Sequence, residues 1–234
     1  MKNVLFITYF WPPSGKASLH WPLAVIRHLP SHDWLPSVLT VDEDTFSQKD
    51  KSLLGQVDPA LRVVKTAAND PFQLYRKFLG KGSDDQLIAS ETISQANKGL
   101  RHKIAVWVRM NLFVPDARIG WFFSAVRGGA ALIRSGRIDA IVTNGPPHSA
   151  HLIGTYLSKK YSIPHIPVLI DPWVDIAYYR GFTRSAPTLA LDNYFERRVF
   201  SHAAKIIFVT QSAREEYVKK YSWIGEKSSV LYWG

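Results

Sequence analysis

Hydrophobic and polar positions along this 234-residue chain switch between strand-like runs and helical spacing, and the switches mark its elements. Residues 4–9 form an apolar, β-branched run without alternation, as expected of a strand covered on both faces. Trp11-Pro12-Pro13-Ser14-Gly15 breaks that run, and residues 16–29 resume with helical spacing behind a Ser14 hydroxyl. Residues 36–41 predict a second strand and 61–65 a short third one. Residues 42–60 and 66–90, rich in Asp, Lys, Gly and Ser, predict excursions. Helical spacing returns over 93–112, with Trp107 and Val108 on the apolar side, and over 121–135. Strands over 139–143, 166–170, 205–210 and 229–231 then alternate with helices over 149–161, 187–202 and 212–221.

This βα rhythm predicts one α/β domain over residues 1–234, a Rossmann-like three-layer αβα domain with a mostly parallel sheet. In such a sheet ligands bind beyond the carboxyl ends of the strands. Those ends carry residues 9–16, 143–151, 171–175 and 210–211, which are expected to line one crevice.

Composition narrows the class. A hydrophobic share of 46% and a charged share of 21% match ordinary globular chains, and no stretch reaches the ~18 uncharged apolar residues of a membrane span. The amino-terminal run is too short for a signal peptide and has no small-residue cleavage site. The chain has no cysteine, which excludes disulfide and thiolate chemistry and fits a reducing cytoplasm. A net charge of +10 favours an anionic partner: nucleic acid, anionic lipid or a phosphorylated small molecule. From Gln95 to Arg137 the cations Lys98, Arg101, Lys103, Arg109, Arg118, Arg127, Arg134 and Arg137 face Asp116 alone. No nucleic-acid module accompanies them.

Three strand ends carry candidate chemistry. Gly15, between a strand and a helix, lets backbone N–H groups approach a phosphate, with Lys16 adding charge; the alternative is a plain tight turn. Asn144-Gly145-Pro146-Pro147-His148-Ser149-Ala150-His151 opens a helix at the next strand end. Asn144, His148 and Ser149 are its candidate substrate contacts, whereas His151, in the first helical turn, caps or packs. No third His or carboxylate has ligand spacing nearby, so no metal site is expected. In Ile170-Asp171-Pro172-Trp173-Val174-Asp175 a carboxylate follows an apolar strand, where it needs solvent, a partner or a ligand. Asp171 either accepts a hydrogen bond from a sugar hydroxyl, takes up its proton, or caps the turn, and Trp173 offers a ring to a pyranose, with Asp175 beside it.

Several motifs together carry a resemblance. Tyr9-Phe10-Trp11-Pro12-Pro13-Ser14-Gly15, Leu29-Pro30, Val38-Leu39-Thr40, Pro115-Asp116-Ala117-Arg118-Ile119-Gly120-Trp121, Pro146-Pro147-His148-Ser149 and Asp171-Pro172-Trp173 resemble, in order and spacing, the N-terminal domain of family 4 glycosyltransferases. The resemblance implies the N-terminal, acceptor-side half of a GT-B fold. It implies sugar transfer from a nucleotide-diphosphate-sugar, used as substrate with no covalently bound cofactor and no obligatory metal, with retention of configuration, in polysaccharide or cell-envelope glycan synthesis. The turn at Gly15 and Lys16 would approach the donor phosphates, and Asp171 would stand at the reaction centre as the catalytic residue. The expected partners are a C-terminal donor-binding domain absent from this chain, a sugar or lipid-linked acceptor, and an anionic membrane surface met by Lys98, Arg101, Lys103 and Arg109. No nucleic acid is expected as a partner. The enzyme is expected in the cytoplasm, peripheral on the inner face of the membrane, and this half alone is expected to be inactive. Two further readings of the same features are a non-catalytic basic domain that binds nucleic acid or anionic lipid, and a sugar-binding scaffold with a degenerate site.

Overall fold

Each apolar run identified above becomes a strand of one seven-stranded sheet in the computed structural model, which describes residues 1–68, 100–176, 179 and 182–233. The strands are β1 (Lys2–Thr8), β2 (Trp34–Val41), β3 (Arg62–Thr66), β4 (Ala140–Gly145), β5 (His165–Leu169), β6 (Ile206–Phe208) and β7 (Ser228–Val230). Their order is β3-β2-β1-β4-β5-β6-β7, and every pairing is parallel. The described helices are α1 (His20–His28), α2 (Leu100–Leu112), α3 (Phe122–Ser135), α4 (Ser149–Tyr161), α5 (Ala186–His202) and α6 (Gln211–Lys220). Residues 93–99 of the expected second helix lie outside the described residues. Residues 17–19 form a 3-10 turn before α1 rather than its first turn.

Strand residues alternate between two cores, which is why both faces of the sheet read as apolar. Leu5, Ile7, Leu39, Val41 and Ile141 point to α3 and α4, meeting Trp121, Ala125, Leu132, Ile153 and Leu157. Val4, Phe6, Val38 and Val142 point the other way, to Trp21, Leu23 and Ile26 of α1. A third cluster joins Leu169, Ile206 and Phe208 to Val199 and Phe200 of α5 and Tyr217 of α6. The result is a three-layer αβα domain, with the strand order reversing between β1 and β4.

Candidate active site

β1 and β4 lie side by side, with Thr8 in register with Asn144, so their carboxyl ends open together at the reversal point. The turn after β1 differs from expectation. Gly15 N–H donates to Gln48 O at 3.0 Å, Lys16 N–H reaches Ser14 Oγ at 3.4 Å, and Ser14 bridges Lys49. These N–H groups are therefore already occupied by the turn itself and the 46–50 segment, which the sequence pattern left as an excursion. A Cβ at Gly15 would meet Gln48 only at an ordinary 3.6 Å, so space does not demand glycine there.

At the end of β4 the candidate contacts lie inside rather than on the crevice wall. Ser149 is fully buried; its N–H and hydroxyl donate to the two carboxylate oxygens of Asp116 at 2.8 and 2.6 Å. Asp116, supplied by a distant segment, thus caps α4 and occupies both Ser149 donors. Burial raises the Asp116 pKa against the pull of the Ser149 and Arg118 bonds; its carboxyl is enclosed although the residue keeps some surface. His148 is 5% exposed and stacks on Trp173, with centroids 4.9 Å apart and planes at 7°. Burial holds its pKa down to about 3 against a smaller opposing pull from the Pro172 carbonyl, which does not reach hydrogen-bonding geometry with either ring nitrogen. His151 Nδ1 lies 2.7 Å from Thr143 Oγ1, which also meets His165 Nε2 at 2.8 Å. Asn144 Nδ2 donates to Ser18 O at 3.2 Å and ties the β4 end to the entry of α1, while its Oδ1 is buried without a partner.

The loop after β5 is fixed from behind by α5. Asp192 and Glu196, both fully buried and one helical turn apart, face the loop together. Trp173 Nε1–H donates to Asp192 Oδ1 at 2.7 Å, and Val174 N–H donates to Glu196 Oε2 at 3.3 Å. Trp173 N–H donates to Tyr217 Oη at 2.7 Å, and that hydroxyl in turn donates to Glu196 Oε2 at 3.0 Å. The ring expected to stack on a pyranose is therefore 1% exposed, with one face covered by His148. Asp175 is 70% exposed and pairs with Lys220 at 2.9 Å, so it lies on the outer surface. Asp171 differs from all of these. It is half-buried, has no hydrogen-bond or ion-pair partner among the described residues, and burial raises its pKa.

The expected membrane contacts divide. Lys98 and the Arg101 side chain lie outside the described residues; Lys103 is exposed, but Arg109 is half-buried. Trp107, expected on the apolar side of α2, is 50% exposed, whereas Met110 and Asn111 are buried. Among the described residues no group of three His, Cys, Asp or Glu side chains could hold a metal ion, and no helix is long and apolar enough to cross a membrane.

The model of Glycosyltransferase Family 4 matches residues 86–234, which include β4, β5 and both loops just described. The chain belongs to glycosyltransferase family 4. Two solved structures are similar to this family 4 domain. Sucrose-phosphate synthase from Thermosynechococcus elongatus aligns with a TM-score of 0.60 at 12% identity, covering 100% of this chain and 48% of that one. Apo UGT2 of Phytolacca americana aligns with a TM-score of 0.52 at 10% identity, covering 100% and 52%. At these identities the likeness shows the Rossmann-like fold of GT-B glycosyltransferases. The chain spans about half the length of each of these two structures. No curated protein sequence matches it.

In this family 4 domain, sequence reasoning missed the residues that act from behind: Asp192, Glu196, Tyr217 and Arg184. Asp192 and Glu196 carried a usable signal, since two carboxylates at i and i+4 stand among the buried positions Val199 and Phe200 of one helix.

Proposed function

We propose that this domain is the acceptor-side lobe of a GT-B enzyme that moves a sugar from a nucleotide-diphosphate-sugar onto an acceptor hydroxyl in polysaccharide or cell-envelope glycan synthesis. Asp171 carries the reading: it is a half-buried carboxylate without a partner among the described residues, at the carboxyl end of β5, beside the reversal of strand order. Burial disfavours the charged form of its carboxyl, so partial desolvation makes it a stronger base than an exposed aspartate. As the acceptor oxygen bonds to the sugar's anomeric carbon, its proton passes to Asp171 and the nucleoside diphosphate departs with the electron pair of the broken bond. The donor is gripped mainly by a second, C-terminal lobe, so this lobe alone transfers nothing. Retention of configuration and independence from an obligatory metal belong to the same proposal.

The anionic partner in this reading is a membrane surface rather than a nucleic acid. α2 exposes Ile104, Trp107 and Leu112 beside Lys103, and α3 exposes Phe123 at 82%, a pairing of apolar and basic groups that suits an anionic bilayer. The enzyme would then work in the cytoplasm, peripheral on the inner face of the membrane, on a sugar or lipid-linked acceptor.

The test uses the full-length protein with a panel of nucleotide sugars. Asp171→Asn is expected to slow transfer by about 10²-fold or more while leaving donor affinity unchanged. Undiminished turnover in that variant would remove Asp171 from the chemistry.

A further inference from the structure

Arg184 is the most under-satisfied cation among the described residues. Its side chain is 6% exposed, and Nη2 donates to Asp192 Oδ2 at 2.5 Å. Its Nε and Nη1 atoms are buried with no acceptor among the described residues. Asp192 takes Nη2 alone: its Oδ1 accepts from the Trp173 indole, and neither oxygen makes a hydrogen bond to Nε or Nη1. A buried donor on a charged group that lacks a partner leaves its desolvation uncompensated, so such a group calls for an acceptor beyond those the described residues supply.

The surroundings favour an anion as that acceptor. Arg184 immediately precedes Ser185, the N-cap of the 17-residue helix α5, whose first turn contains no acidic residue. Ser185 Oγ already accepts the Thr188 N–H and Asn111 Oδ1 the Ser185 N–H, so beyond the Asp192 pair the helix end adds its dipole to the guanidinium rather than a set of free donors. The Tyr179 ring lies 5.2 Å from the guanidinium and keeps one side of it dry, and Arg109 is near enough to act on the same tyrosine. Asp192 also joins Arg184 to the Trp173 indole, and Trp173 lies two residues beyond Asp171 along the same loop.

We infer that Arg184, at the amino terminus of α5, binds an oxyanion, a phosphate or carboxylate group carried by the acceptor. This rests on the proposed function, and it narrows the acceptor to a molecule with an anionic group near the hydroxyl that receives the sugar. Lysine would keep the pairing with Asp192 but would present a compact ammonium in place of the Nε and Nη1 donors.

Isothermal titration of the protein at low ionic strength, with inorganic phosphate in one arm and glucuronate in the other, tests the site without measuring sugar transfer. Saturable binding is expected in at least one arm, phosphate pointing to a phosphorylated acceptor and glucuronate to an acidic sugar. Arg184→Lys is expected to raise that Kd at least about tenfold, as loss of a charge-assisted bond does. Circular dichroism checks its fold, and Arg184→Gln combined with Asp192→Asn, which leaves no unpaired charge, gives the same comparison should the lysine variant unfold. Absence of saturable binding to the unsubstituted protein in both arms overturns the inference, as does an affinity that the substitutions leave unchanged. Either result leaves the Asp171 experiment standing, so the two proposals fail separately.

Discussion

A methyl group added at Gly145 would lie 2.5 Å from His151 Nε2 and 2.8 Å from His148 Nδ1. Neither ring can retreat easily, since His148 is stacked on Trp173 and His151 is bound to Thr143. Gly145→Ala is therefore expected to destabilise the protein by about 1–3 kcal/mol, the usual cost of overfilling a packed interior. Urea unfolding measures this, and an unmoved midpoint would mean that the histidines are not held as described. In the sequence Gly145 looks like one more turn glycine before two prolines. Its actual role depends on two imidazoles folded back over it. The same limit applies to Ser149, whose hydroxyl faces Asp116 rather than a substrate.

α5 and α2 show how far periodicity reaches at the scale of an element. The extent of α5 was legible, and its 186–202 span differs by one residue from the helical pattern. Its task was not legible, because the grip of Asp192 and Glu196 on the 171–176 loop requires α5 to lie behind that loop. For α2 the spacing indicated a helix but not which way its Trp107 side faces, because an exposed Trp107 satisfies the same period as a buried one. That outward stripe leads to a measurable expectation. Lys103→Glu with Trp107→Ala should weaken sedimentation with phosphatidylglycerol vesicles several-fold, given about 1 kcal/mol per basic residue near an anionic surface. Retained binding would assign α2 to some other role.

For the whole molecule, buried histidines couple stability to pH. Burial holds His148 and His165 down to about 3 and His151 well below its ordinary value. Between pH 6.5 and about 3 the unfolded chain therefore binds protons that the folded chain refuses, and stability falls as pH drops. The slope reaches about 1.4 kcal/mol per pH unit for each histidine. Asp116, Asp171 and Asp192, raised by burial, work in the opposite direction and offset part of the loss at the acid end. Calorimetry from about pH 7.5 to about pH 5, across the ordinary histidine range, should show a falling Tm; a flat profile would mean that these rings are solvated. By itself the sequence determined the strands and helices, the parallel α/β class and the strand ends that carry chemistry, because hydrophobic period and chain-reversal residues are local properties. Only the tertiary structure decided which polar groups at those ends remain available. Gln48 closes the Gly15 turn, Asp116 takes Ser149, and Asp192 takes Trp173, while Asp171 and the inner edge of Arg184 find no partner among the described residues. A polar group's availability depends on partners that the chain brings from far away, and no spacing along the sequence records them.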